Sequence, residues 1–250
     1  MLKSDPKLIK LTDVPAALGL LSRLPVRGAG TRGAAVAWAF PVVGLIIGLI
    51  LAAVAGVLAK FGLSPDLNAG LILFVGVMIT GAMHEDGLAD SADGLWGGWD
   101  RIRRLEIMKD SQIGTYGVIA LIVSFGLRWA AIAALIRADS LLPALIGVAV
   151  LSRLPMVVMM AMMQNARGDG LSASAGRVGK ATVWLAIGLG GGVGAVLLGG
   201  AFIGVIGGIS IATLALGLIA KRKIGGQTGD ILGASQQVAE ITALVILATL

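Results

Sequence analysis

Seven apolar windows dominate this chain, at about 34–58, 67–83, 117–136, 141–163, 181–200, 202–220 and 234–250. Each approaches the roughly 20 residues that a helix needs to cross a bilayer, the second and the last being short. Backbone in lipid has no water to bond, so segments of this kind must close their hydrogen bonds internally as helices. The expected fold class is all-α: a polytopic integral membrane bundle of about seven transmembrane helices, a single domain over residues 1–250. Composition agrees, with 57% hydrophobic and 14% charged residues and a mean hydropathy of +0.94, where soluble domains carry about 25% charge. The glycine-rich run 188–208 fits close helix packing in lipid, where small residues let backbones approach. Pro41 lies inside the first window and puts a straight crossing there in question. No apolar run with a small-residue cleavage site directly follows Lys3, Lys7 and Lys10, so no cleaved signal peptide is expected. Cysteine is absent, which excludes disulfides and thiolate metal sites, and a single histidine argues against a zinc site of the usual kind.

A net charge of +6 invites a nucleic-acid partner, but the placement of the cations points to the lipid bilayer instead. With the N-terminus cytoplasmic and all seven windows crossing, 16 of the 20 Lys and Arg fall on cytoplasmic segments. They include Lys3, Lys7, Arg23, Arg27, Arg101, Arg103, Arg104, Lys109, Arg167 and Lys223, while Lys60 and Arg137 alone face outward. That asymmetry is the positive-inside pattern, and it accounts for most of the basic excess. Arg128 and Arg153 lie within windows, where a charge costs at least about 2.5 kcal/mol and requires a partner or a wet cavity. For Arg153 the reading adopted is an anion pocket beside the acidic cluster rather than a bundle-holding pair; for Arg128 both stand. Leu21-Ser22-Arg23-Leu24-Pro25 recurs as Leu151-Ser152-Arg153-Leu154-Pro155, each copy placing an arginine just before a helix-breaking proline.

Between the second and third windows, in an expected cytoplasmic loop 84–116, stands His84-Glu85-Asp86-Gly87-Leu88-Ala89-Asp90-Ser91-Ala92-Asp93-Gly94. If the segment is helical, Asp86, Asp90 and Asp93 fall at i, i+4 and i+7 and share one face. Three like charges on one stripe repel one another unless a cation joins them, and carboxylates suit a hard ion, Mg²⁺ first. A solvated acidic loop is the bland alternative. Downstream come Arg101, Arg103, Arg104, Lys109, Asp110 and Ser111. Cations beside a carboxylate stripe are the components of phosphoryl transfer, although lipid headgroups explain at least one of the three arginines better. A glycine turn at 225–233 adds Thr228 and Asp230 on the same side.

These residues resemble a known family. His84-Glu85-Asp86-Gly87-Leu88-Ala89-Asp90-Ser91-Ala92-Asp93-Gly94, then Arg104-Leu105-Glu106-Ile107-Met108-Lys109-Asp110-Ser111 and Gly114-Thr115-Tyr116-Gly117, are similar to the cobalamin synthase (adenosylcobinamide-GDP ribazoletransferase) family. So are Ser22-Arg23-Leu24-Pro25-Val26, Ser152-Arg153-Leu154-Pro155 and Gly226-Gln227-Thr228-Gly229-Asp230, so that the resemblance spans nearly the whole chain. It implies a Mg²⁺-dependent multi-pass enzyme of a bacterial or archaeal cytoplasmic membrane, its active face cytoplasmic. The implied substrates are adenosylcobinamide-GDP and α-ribazole or its 5′-phosphate; no nucleic acid is implied, and a homo-oligomer is left open. Carried over by position, Asp86, Asp90 and Asp93 become the expected Mg²⁺ ligands, with Asp110 or Asp230 as an addition, and Glu85 ranks below them. His84 becomes a base or an orienting group. Arg23, Arg104, Lys109 and Arg153 are expected on the diphosphate, with Ser111, Thr228 and Asp230 completing the substrate contacts. A CDP-alcohol phosphatidyltransferase is the nearest rival, but Leu88-Ala89-Asp90 after Asp86-Gly87 departs from its signature. A divalent-cation transporter fits less well, since its ionisable residues belong at the membrane midplane.

Overall fold

The computed structural model describes residues 8–26 and 32–250; Lys3, Lys7 and Arg27, counted above as cytoplasmic cations, lie outside them. The described residues form twelve α-helices: α1 Asp13–Leu21, α2 Phe40–Leu58, α3 Pro65–Thr80, α4 Met83–Gly97, α5 Arg101–Ile107 and α6 Thr115–Arg137, followed by α7 Leu141–Leu151, α8 Leu154–Met162, α9 Leu171–Ala175, α10 Lys180–Leu198, α11 Phe202–Ile224 and α12 Gly229–Ala248. Five stretches are long and apolar enough to cross a membrane, or six when the bent pair α3 and α4 counts as one. The difference from seven windows has two causes. Windows 181–200 and 202–220 form one 45-residue stretch, Lys180–Ile224, interrupted by a 3-10 turn at Gly199–Ala201. Window 67–83 is not a straight crossing, because α3 turns by 88° into α4.

That turn rests on two successive left-handed residues, Gly81 (φ 64°) and Ala82 (φ 57°). Glycine adopts this conformation freely, whereas an L-residue such as Ala82 pays about 1–2 kcal/mol. Neighbouring bonds hold it in place: Ala82 N donates to Val77 O at 3.0 Å, and Arg23 N reaches across to Ile79 O at 2.7 Å. The Arg23 side chain lies against Gly81, where a Cβ would come within 2.7 Å of Arg23 Cγ. Pro41 proves compatible with α2, since it occupies the first turn, where no intrahelical N–H is needed. A 3-10 segment, Gly33–Ala39, precedes it.

The repeated Leu-Ser-Arg-Leu-Pro element ends a helix both times. Ser22 N donates to Leu18 O and Ser152 N to Val148 O, each at 2.9 Å, closing the final turns of α1 and α7. Around this break the small residues act as expected. Gly44 and Gly48 bring α2 onto α7, so that a Cβ on Gly48 would stand 2.7 Å from Ile146 Cα. Gly190 and Gly194 seat Leu154 and Leu151 the same way on α10. Both ends of the 180–224 stretch return to one region: Val178 N bonds Met160 O (3.5 Å), and Gln227 N bonds Gln164 O (2.9 Å). The polar helix α4 packs between α6 and α12 at that end of the bundle.

Candidate active site

The expected loop 84–116 is largely helical, and α4 has two chemically different sides. Asp86 is exposed, Asp90 half-buried and Asp93 buried. Asp93 departs most from expectation, because both of its carboxylate oxygens are occupied. Oδ2 accepts from Gly114 N (2.7 Å) and Oδ1 from Gly117 N (2.9 Å). Gly114 is the N-cap of α6 and has no side chain with which to satisfy that helix start, so a carboxylate from α4 does it. Both glycines admit it closely, since a Cβ on Gly114 would lie 2.9 Å from Asp93 Cγ. Asp93 thus serves as a tertiary helix cap, while Asp86 and Asp90 keep their outward stripe.

Asp230, at the start of α12, is the third carboxylate of this end. Thr228, expected to touch substrate, is instead the buried N-cap of α12: Oγ1 accepts from Ile231 N (3.3 Å) and donates to Asp230 Oδ2 (3.2 Å). Gly87 lets α4 approach α12 so nearly that a Cβ there would stand 3.2 Å from Gly233 Cα. The charges acting on Asp90 are those of Asp86, Asp230 and Asp93 on the acidic side and Arg167 on the basic side. Arg167 Nη2 lies 3.0 Å from Asp230 Oδ2. Nothing in the sequence had singled it out beyond its place among the cytoplasmic cations. Among the described residues no three acidic or histidine side chains enclose a metal position by themselves. Mg²⁺ asks for less, typically one or two carboxylates with waters and substrate phosphate, and two of Asp86, Asp90 and Asp230 would meet that requirement.

His84 and Glu85 face the other way. Residues two apart on a helix point to nearly opposite sides, so His84 cannot share the face of Asp86. It is 1% exposed, its Nε2 has no partner, and it lines a pocket with Glu85, Arg128, Arg153, Gln236 and Glu240. His84 therefore stands away from the stripe beside which it was expected to serve as a base or an orienting group. Arg128 Nη1 donates to Glu85 Oε1 (3.0 Å) and Glu240 Oε1 (3.1 Å). Gln237 Nε2 reaches Glu85 Oε1 (3.3 Å), and Gln236 Nε2 reaches Glu240 Oε2 (2.6 Å). Arg153 Nη1 donates to Ala149 O (2.6 Å) and Ser152 Oγ (3.2 Å), so this arginine belongs to the buried network and not to the acidic face. Arg128, Glu240 and the two glutamines were not legible as a set: their partners lie as far as 152 positions away in sequence.

The remaining candidates are dispersed. Arg104 donates to Lys223 O and Trp99 O, each at 3.2 Å, fastening α5 to the end of α11. Lys109 pairs with Asp169 at 2.6 Å on the exposed rim, and that bond holds the Asp169 carboxyl below its ordinary range. Asp110 accepts from Gln112 N (3.1 Å) in a local turn, and Ser111 is exposed beside it. Arg23 is exposed at the α3–α4 bend. A further cluster escaped the sequence reading: buried Asp13 takes Arg32 Nε at 3.0 Å and Trp38 Nε1 at 2.8 Å. Burial pushes the Asp13 carboxyl up, but the bonds from Arg32 and Trp38 outweigh it and leave it below the usual carboxylate value.

The chain is similar to known proteins over most of its length. The profile of the cobalamin-5-phosphate synthase family matches residues 13–248. A protein of Bradyrhizobium diazoefficiens named adenosylcobinamide-GDP ribazoletransferase is 46% identical over 244 residues, 95% of this chain and 94% of its own length. Proteins of the same name from Mesorhizobium japonicum and Sinorhizobium medicae are 42% and 44% identical; each alignment covers 94% of this chain, and 92% and 95% of the relative. No solved structure matches the chain.

Proposed function

The chain belongs to the cobalamin-5-phosphate synthase family, and from that premise we propose that it is an adenosylcobinamide-GDP ribazoletransferase working at the Asp86, Asp90 and Asp230 end of the bundle. In the reaction, a ribose hydroxyl oxygen of α-ribazole, or of its 5′-phosphate, forms a bond to the phosphorus nearest the cobinamide. The bond from that phosphorus to the bridging oxygen of the diphosphate breaks, GMP leaves with that oxygen, and the hydroxyl proton is released. The observation that carries the reading is the pairing of a near-full-length family match with a carboxylate stripe, Asp86 and Asp90, facing Asp230 and Arg167.

Asp86 and Asp90, with Asp230, are the residues that would hold Mg²⁺. The bound ion would neutralise the diphosphate and the charge developing on the departing phosphate. Asp93 supports them indirectly by tying α4 to the start of α6, and Thr228 does so by holding Asp230. We place this end on the cytoplasmic side of the cytoplasmic membrane, a reading supported by the clustering of Arg101, Arg103, Arg104, Lys109, Arg167, Lys221, Arg222 and Lys223 there. The test uses purified full-length protein with Mg²⁺, adenosylcobinamide-GDP and α-ribazole, scored by GMP release. Absence of GMP from folded protein refutes the activity, and reporter fusions placing residues 98–114 outside the cell refute the orientation.

A further inference from the structure

Arg167 shares the acidic end of the bundle, and none of the expected diphosphate ligands does what its guanidinium is placed to do. Arg104 is committed to backbone carbonyls, Lys109 to Asp169 at the rim, and Arg153 to the interior, while Arg23 stands at the α3–α4 bend. Arg167 projects from the segment between α8 and α9, whose backbone is held from several directions. Ala166 N donates to Gln227 O (2.8 Å), Arg101 Nη2 to Ala166 O (2.8 Å), and Arg167 N to Asn165 Oδ1 (2.9 Å). Gly226 takes part, since any Cβ there would collide with Gln164 O. The Arg167 side chain is only 13% exposed; its Nη2 stands 3.0 Å from Asp230 Oδ2 and donates to Leu105 O (3.4 Å), and its Nε is buried without a protein partner. A guanidinium fork anchored on a carboxylate by one nitrogen keeps its other donors oriented, which suits a phosphate oxygen better than a flexible ammonium would.

We propose that Arg167 binds the diphosphate of the nucleotide substrate, with Asp230 as the positioning residue that aims it. The assignment rests on the function proposed above and deepens it, naming the cation that the carboxylate stripe requires for an anionic substrate. Asp230 then has two tasks, orienting Arg167 and completing the stripe, which accounts for its own cap-side support from Thr228.

The experiment measures, in full-length detergent-purified protein with Mg²⁺, the Kd of adenosylcobinamide-GDP by calorimetry and the KM of each substrate by GMP release. Arg167→Ala should raise Kd and KM for adenosylcobinamide-GDP about tenfold or more, the loss of one charge-assisted contact, and leave the KM of α-ribazole within about twofold. Arg167→Lys should recover only part of the loss, because an ammonium keeps the charge without the fork. Arg167→Gln, which retains a donor toward Asp230, takes the place of the alanine variant where that does not fold. An unchanged Kd for adenosylcobinamide-GDP, or equal losses for both substrates, overturns the role of Arg167. Wild-type protein that releases no GMP overturns the parent reading instead, so the two failures are distinguishable.

Discussion

The two sides of α4 solve opposite problems with the same chemical group. Glu85 turns inward and meets Gln237 and Arg128, a guanidinium it shares with Glu240, so that its charge is matched by protein groups inside the bundle. Asp86, one residue on, turns outward toward Asp90 and Asp230, where carboxylates outnumber the single guanidinium of Arg167. A buried ion pair is expensive to break, because the surviving charge stays desolvated. An acidic stripe at the rim is instead incomplete by itself and gains from a cation. The inward side should therefore govern stability, and the outward side ligand binding.

The largest effect expected is on the inward side. Glu85→Ala removes a partner of buried Arg128 and should cost about 3–5 kcal/mol, read as a markedly lower thermal unfolding midpoint in detergent. A midpoint equal to that of the wild type would dissolve the contrast. On the outward side, Asp86→Ala and Asp90→Ala should each cut GMP release at least about a hundredfold, ~2.7 kcal/mol of barrier, while leaving that midpoint unchanged. Substantial activity in either variant would remove it from the metal site. Mg²⁺ itself sharpens the comparison: at a hundred times its Kd it should stabilise the wild type by about 2.7 kcal/mol and Asp86→Ala by much less, as unfolding with and without chelator will show. Asp93→Ala should fall between the two sides, costing about 1–2 kcal/mol of stability through the lost cap on α6, with Asp93→Asn milder. The exposed pair Arg137 and Asp66 sets the baseline at the opposite end, and Arg137→Ala should change stability by no more than about 0.5 kcal/mol.

Much of this architecture could be read before any coordinates, and the misses have physical causes. Windows of apolar sequence mark what lipid tolerates, but they do not reveal that Gly81 and Ala82 turn window 67–83 through 88°. Thr228 and Asp230 drew notice as a glycine-turn anion site, yet Thr228 spends its hydroxyl as an N-cap. Arg153 reads in the sequence as lining an anion pocket beside the acidic cluster, but it bonds Ala149 O and Ser152 Oγ and lines a pocket on the inner side of α4 with His84. Arg167 passed unnoticed because a lone arginine in a polar loop carries no local signal.

Hydropathy and a helical period sufficed to establish a membrane bundle and to align Asp86, Asp90 and Asp93 on one stripe, since both properties are local to a few turns of chain. Which of those carboxylates stays available was decided only by tertiary packing. Asp93 is consumed by amides 21 and 24 residues away and Glu85 by an arginine 43 away. Asp86, next to Glu85 in sequence, is left facing outward because a helix turns each successive side chain by about 100°.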